Sequence, residues 1–334
     1  MSHALPQRKP IAAKKVDLTV RIGSLVLKNP ILTASGTFGY GDEYAHVVAL
    51  HAIGGVVTKT VTVQPRAGNV PTRVAETPAG MLNSIGLENV GLERFQSEKL
   101  PRLAKLNATV IASIGGETAE ELETLLRALG HERSVGGFEV NFSCPNVAAG
   151  GARYWADPAR LERTLAGLRP LTTKPLIAKL SPDVTDIRVT ARACERGGAD
   201  ALTAVNTFVG LAIDLDHMRS KLGRATGGLS GPAIKPLALA RCWEAAGAVR
   251  IPVLGSGGIS SGRDALEFMA AGATAVQVGT ATFVEPEACT RVLAEMREWL
   301  GERGYAKVTE LVGAFRAEAA QESTIKHIEE SVET

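Results

Sequence analysis

Short apolar runs rich in Val, Ile and Ala recur along the chain, at residues 30–35, 55–60, 109–114, 138–143, 176–181, 201–206, 252–257 and 275–279. They read as near-continuously apolar rather than alternating, the pattern of parallel strands covered on both faces. Helix-like amphipathic stretches separate them, at 118–129, 157–168, 183–195, 236–247, 261–271 and 286–300. In the first of these, Leu122, Leu125, Leu126 and Leu129 fall at helical spacing, and Thr118 with Glu121 reads as a capping box. Ser261 is the N-cap expected for its own helix. Eight strand candidates alternating with helices, with no linker among them, favour a single α/β domain. The expected architecture is one closed parallel (β/α)8 barrel, a TIM barrel with its active site at the C-terminal ends of the strands. The count alone leaves a doubly wound sheet open.

A length of 334 residues suits one such barrel. Residues 1–15 are basic but hold no apolar core or cleavage site, so they read as a flexible extension rather than a signal peptide. Residues 16–315 form the barrel, and 316–334 a C-terminal helical extension. Two connections are long, 61–101 and 207–235, and loops of that length in a compact domain are usually functional. No apolar run approaches the ~18 residues that span a bilayer. A formal net charge of +2 gives no electrostatic case for nucleic acid or an acidic membrane surface, so a cytoplasmic protein is expected. The four cysteines, Cys144, Cys194, Cys242 and Cys289, form no C-x-x-C pair. Neither a zinc site nor an iron–sulfur cluster follows from such spacing, and no metal is expected.

At the carboxyl ends of the expected strands, polar or small residues gather: Ser35, Lys59 with Thr60, Ser113, Asn141, Lys179, Asn206 with Thr207, Gly257 with Gly258, and Gly279 with Thr280. The turns G-S-G-G-I-S-S-G and V-G-T-A follow the last two strands. Glycine there lets backbone N–H groups approach a phosphate, although two Gly-rich helix starts would read the same way. Lys59 and Lys179 end apolar strands; either each reaches past the rim into solvent, or the two converge on an anionic ligand. In N-F-S-C-P-N, Pro145 ends strand pairing and leaves Cys144 at the start of a loop. Cysteine is commonly a packing residue, but at a barrel mouth beside Asn141 and Asn146 it is a candidate base or nucleophile. No histidine is tied to it, His131 being the nearest upstream, which favours a thiol acting alone as proton acceptor. The loop onward through Gly150 and Gly151 to Trp155 is expected to close as a lid.

These residues carry a resemblance. From about Val16 to Phe315 the chain closely resembles the catalytic subunits of class 1B dihydroorotate dehydrogenases. The matching stretches are A-S-G-T-F-G-Y-G (34–41), T-K-T-V-T (58–62), P-A-G-M-L-N-S-I-G-L-E-N (78–89), N-F-S-C-P-N (141–146), G-G-L-S-G-P-A-I-K-P (227–236) and V-Q-V-G-T-A (276–281). The resemblance implies oxidation of (S)-dihydroorotate to orotate in de novo pyrimidine (UMP) biosynthesis. Cys144 looks like the base that removes the C5 proton while hydride passes from C6 to N5 of FMN. Lys59, Asn83, Asn141, Asn206 and Thr207 resemble the residues that hold the pyrimidine ring and its carboxylate, with Ser84, Ile85, Gly86 and Leu87 continuing that wall. Ser35, Lys59, Thr60, Asn141, Lys179, Val205, Gly231, Gly257, Gly258, Gly279 and Thr280 match FMN contacts. Ser113 stands where the family commonly has asparagine and is a further cofactor candidate.

An asparagine amide offers both donor and acceptor to a planar pyrimidine, and a lysine beside N1 and O2 of a flavin favours the reduced ring. The resemblance also implies one FMN per subunit, and a catalytic homodimer joined by an electron-transfer subunit that carries FAD and a 2Fe-2S cluster and reduces NAD+. Competing readings are a fumarate-using class 1A homodimer, a dihydropyrimidine dehydrogenase-like flavin barrel, a dihydrouridine synthase acting on transfer RNA, and a phosphate-binding barrel with Cys144 as packing. The transfer RNA reading lacks a basic face.

Overall fold

A computed structural model describes residues 8–142 and 156–315. At its centre lies an 8-stranded parallel sheet. In chain order its strands are β1 (Ile31–Thr33), β2 (Val56–Val57), β3 (Val110–Ile114), β4 (Gly137–Asn141), β5 (Leu176–Lys179), β6 (Ala201–Ala204), β7 (Val253–Ser256) and β8 (Ala275–Val278). From β2 onward each strand pairs in parallel with the next. The last, β8, returns to β1 with Val276 opposite Ile31. The bridge Leu32–Gly55 joins β1 to β2, where the Thr33 N–H donates to Gly55 O at 3.2 Å. The sheet therefore closes on itself and has no free edge, which rules out the doubly wound arrangement.

Flanking helices are α1 (Ala119–Leu129), α2 (Pro158–Leu168), α3 (Ile187–Arg196), α4 (Lys235–Ala248), α5 (Gly262–Ala270) and α6 (Ala288–Glu302). As its spacing predicts, α1 buries Leu122, Leu125, Leu126 and Leu129, and Thr118 Oγ1 accepts the Glu121 N–H at 3.3 Å. The box is not reciprocal: the Glu121 carboxylate accepts the N–H of Glu117, not that of Thr118. At α5 both halves of the box form between Ser261 and Asp264. One boundary needs correction. The helix expected from 183 begins at Ile187, because the Asp183 N–H is drawn into a turn onto Ser181 Oγ (3.2 Å) and Asp186 caps through the Arg188 N–H (2.9 Å).

The strands also differ from expectation. They are not apolar throughout: Thr33, Ser113, Glu139, Lys179, Thr203, Ser256 and Gln277 are all buried within them. Side chains alternate along a strand. In β4 and β8 this sends Phe138, Val140, Val276 and Val278 to one face and Glu139, Asn141 and Gln277 to the other. The first set joins the hydrophobic core. Single polar residues in four- or five-residue runs barely disturb the apolar average, so the run conceals them.

Below the barrel, an antiparallel hairpin of Val20–Ile22 and Leu25–Leu27 buries Ile22 and Leu27 completely. Gly136, just before β4, leaves room for it; a Cβ there would sit 3.3 Å from Leu25 Cδ1. Residues 8–15, expected within the flexible extension, lie along α6: the Ile11 N–H donates to Gly301 O at 2.9 Å, and the Arg8 guanidinium stacks 4.2 Å from the Tyr305 ring centre. Above the barrel, the two long connections combine. Phe208–Gly210, Gly227–Ser230, Gly80–Asn83 and Val74–Thr77 pair in that order as an antiparallel sheet over the mouth. Among the described residues, no helix is long and apolar enough to cross a membrane.

Candidate active site

Between the barrel rim and this upper sheet lies a cavity of about 510 Å³, in the range of small-molecule and cofactor sites. Ser35, Lys59, Thr60, Asn141 and Lys179 enter it from β1, β2, β4 and β5 or the residues just after them, and Val205, Asn206 and Thr207 follow β6. Gly257, Gly258, Gly279 and Thr280 bound it beyond β7 and β8, while Asn83, Ile85, Leu87 and Gly231 come from the upper sheet and its loops. Parallel strands all present the same end to the mouth, so residues far apart in sequence converge there.

The wall formed by the ends of β1 to β3 is a chain of hydroxyls. Ser35 Oγ lies 3.3 Å from Thr60 Oγ1, which meets Ser113 Oγ at 2.9 Å and accepts from Asn141 Nδ2 at 3.4 Å. Ser113 is fully buried behind Thr60 and does not line the cavity. Its place at the end of β3 is as expected, but the Thr60 side chain stands between it and the opening. Ser84 and Gly86 are also withdrawn from the lining. The Ser84 hydroxyl accepts from Asn69 Nδ2 at 2.9 Å, and Gly86 at φ +75° passes so close to Asn69 that a Cβ would fall 2.6 Å from it. Both shape the loop whose Ile85, Leu87 and Glu88 do face inward.

Charge at the mouth is paired. Lys59 Nζ lies 3.8 Å from Glu88 Oε2, and Arg73 holds the same carboxylate at 3.0 Å. Lys179 is nearly enclosed and sits 3.4 Å from both Glu139 Oε1 and Gln277 Oε1. Neither lysine simply extends into solvent. On the upper sheet Asn83 Nδ2 donates to Gly228 O at 3.1 Å, and in the segment after β6 Asn206 Oδ1 accepts the Thr207 N–H at 2.8 Å.

The Gly-rich turn after β7 is held from behind. Gly257 and Gly258 adopt φ of +127° and +76°, which side chains resist. Beyond them the Asp264 carboxylate accepts the N–H groups of Ser260 and Ser261, each at 2.9 Å, and pairs with Lys235. Burial pushes the Asp264 carboxyl up, but the Lys235 ammonium and the serine donors outweigh it and hold it below the usual carboxylate range. Thr280 Oγ1 donates to Ser230 Oγ at 2.8 Å and ties the end of β8 to the upper sheet. Among the described residues, no protein acceptor takes the backbone N–H of Gly258, Thr280 or Ala281.

Cys144, the expected base, lies outside the described residues, as do Asn146 and Trp155. Cys194, Cys242 and Cys289 are buried packing residues, as their helical settings predict. Sequence reasoning missed Met81, Ser230 and Arg291, which also line the cavity, and the buried Glu139 and Gln277 beneath it. The last two had a usable signal, a lone polar residue inside F-E-V-N and V-Q-V-G. Among the described residues, no cluster of His, Cys, Asp and Glu is arranged to hold a metal ion.

The dihydroorotate dehydrogenase family model matches residues 17–300. A protein of Pelobacter propionicus named dihydroorotate dehydrogenase B (NAD(+)), catalytic subunit, is 52% identical over 301 residues, covering 90% of this chain and 99% of the relative. A protein of the same name from Geobacter sulfurreducens is 50% identical over 302 residues, with the same coverage. The crystal structure of a dihydroorotate dehydrogenase from Eimeria tenella, in complex with ferulenol, superposes with a TM-score of 0.76 over 94% of this chain and 91% of that one. At 23% identity it bears on the fold alone. With that match along most of its length and close relatives at half identity, the chain belongs to the dihydroorotate dehydrogenase family.

Proposed function

We propose that this chain is the catalytic subunit of an NAD+-linked dihydroorotate dehydrogenase, which oxidises (S)-dihydroorotate to orotate in pyrimidine biosynthesis with FMN in the mouth cavity. The observation that carries the reading is the convergence of Lys59, Asn83, Asn141 and Asn206, from four separate elements, on one cavity. Relatives at about half identity carry the name dihydroorotate dehydrogenase B (NAD(+)), catalytic subunit.

The donor set suits FMN. The N–H groups of Gly258, Thr280 and Ala281, with the Ser230 and Thr280 hydroxyls, form a phosphate cradle at one end. Toward the centre, Lys179 and Asn141 offer an ammonium and an amide to the polar edge of the isoalloxazine. Bound FMN supplies at N5 the acceptor for the hydrogen on C6 of the substrate. This chain's residues do the rest. Lys59 binds the substrate carboxylate as a counter-charge, for which Glu88 must release it. Asn83, Asn141 and Asn206 orient the ring through paired donors and acceptors. Cys144, three residues beyond Asn141, takes the C5 proton as thiolate. A partner subunit carrying FAD and a 2Fe-2S cluster receives the electrons and passes them to NAD+, with two catalytic chains forming the core of the assembly.

The test is purification with and without a co-expressed partner, followed by an absorption spectrum and anaerobic addition of dihydroorotate. The expected results are a flavin spectrum, bleaching by dihydroorotate, and NAD+ reduction only with the partner. Turnover of fumarate by the isolated chain would place it with the fumarate-using homodimers, and a colourless protein would overturn the proposal.

A further inference from the structure

Beneath the cavity floor lies a polar cluster that meets the proposed chemistry only through Lys179. Glu139 of β4 is 0% exposed. Its Oε2 accepts from Thr203 Oγ1 of β6 at 2.8 Å and from Gln277 Nε2 of β8, and its Oε1 lies 3.4 Å from Lys179 Nζ of β5. Four strands thus each send one polar side chain into the same interior layer. Lys179 belongs to the cavity lining; Glu139 does not. The carboxylate is therefore the base of the cluster and the ammonium its upper face.

A buried carboxylate is costly unless its partners satisfy it, and two neutral donors would not offset a full charge. Lys179 does. Conversely, an ammonium 5% exposed needs a counter-charge, and Glu139 is the only carboxylate within 4 Å of Lys179 among the described residues. A lysine with four rotatable bonds has many rotamers. The register that sets Asn141 opposite Lys179, two residues on from Glu139, brings the pair together at the foot of the cavity.

We infer that Glu139 is a positioning residue for Lys179, holding its ammonium aimed at the cofactor end of the cavity by an ion pair anchored on Thr203 and Gln277. This rests on the reading of the cavity as an FMN site. The carboxylate acts only through the lysine, and its loss removes positive charge from the flavin edge. With Gln at 139, an amide donor faces either the ammonium or the Thr203 and Gln277 donors. The buried ammonium then keeps its 3.4 Å contact with Gln277 Oε1 but has no counter-charge within 4 Å among the described residues, a cost it relieves by swinging away from the cofactor end of the cavity.

Sulfite reads this charge without turnover, because its lone pair adds to N5 of oxidised flavin and leaves a negative charge at N1 and O2. Sulfite dissociation constants are to be measured by flavin bleaching on the FMN-loaded chain, for wild type, Glu139→Gln, Lys179→Met and the double variant. The expected result is sulfite binding at least tenfold weaker in Glu139→Gln, and no further weakening when the same change is made in Lys179→Met. Glu139→Asp, which keeps the charge, retains more of the affinity. Should Glu139→Gln not fold, Gln277→Leu removes one anchor of the carboxylate together with the lysine's own contact with Gln277 Oε1, and is expected to act in the same direction, again only while Lys179 is present. Unchanged or tighter sulfite binding, or equal weakening in both backgrounds, overturns the inference while leaving the FMN site intact. A wild-type chain that takes up no flavin overturns both.

Discussion

Cys194, Cys242 and Cys289 are enclosed by apolar neighbours, and burial pushes each thiol up to about 12. All three are inert at neutral pH, so alkylation of the folded protein reports on Cys144 alone. Iodoacetamide followed by peptide mass mapping should modify Cys144, with protection by orotate; labelling of the other three would contradict their burial. Cys144→Ala should lower kcat by about 10²–10⁴, the usual loss on removing a general base. Because the thiolate is the active form, the wild-type rate should climb with pH toward the ordinary thiol value of ~8.5. A flat profile in stopped-flow flavin reduction would argue for a different base.

Elements in this protein are tuned by close approach. The strand Gly227–Ser230 passes so near Thr207 that a Cβ on Gly228 would stand 2.1 Å from Thr207 Oγ1 and 2.8 Å from its Cβ. Gly228→Ala must therefore displace the segment carrying Asn206 and Thr207. The expected outcome is a KM for dihydroorotate raised about tenfold, as loss of a well-placed hydrogen bond would give, and steady-state kinetics would check it. The cap of α5 works on the cofactor end. Ser261→Ala removes the acceptor of the Asp264 N–H and should cost about 1 kcal/mol in urea unfolding. Since the same turn carries Gly257 and Gly258, the variant should also release FMN more readily on dilution.

At the scale of the whole molecule, an ion cluster clamps the loop after β1 to the long connection after β2. Glu43 accepts the Tyr40 N–H at 2.9 Å and pairs with Lys99 at 2.8 Å, and Lys99 also reaches Asp42. Burial pushes the Glu43 carboxyl up, but Lys99 and the backbone donors outweigh it and hold it at about 2 against an ordinary 4.5. A lowered carboxyl value stabilises the fold above the unfolded value and loses that contribution as pH falls from about 4.5 toward about 2. Glu43 is exposed, so solvent screening limits the pair to no more than ~1 kcal/mol. Lys99→Met should lower Tm at pH 7 and narrow the gap to wild type by pH 3, measured by calorimetry. An equal gap at both values would remove the clamp from the account.

Much of this is legible in the amino-acid sequence. The alternation of apolar runs with capped amphipathic segments is local, dictated by side-chain periodicity and by Thr118 and Ser261 at helix starts, so the order of strands and helices could be read directly, while the pairing of β1 with β8 and β2 decided a closed barrel over a doubly wound sheet. The mouth residues followed, since a parallel barrel carries every strand end to one rim. What remained hidden depends on contacts across the closed sheet. Whether Ser113 faces the opening turns on Thr60, from the neighbouring strand. The partners of Lys179 sit on strands 40 and 98 residues away in sequence. The upper sheet joins two connections that local pattern marks only as long. Period and capping act within a few residues, whereas pairing of buried charge and the enclosure of a cavity exist only once distant strands are side by side.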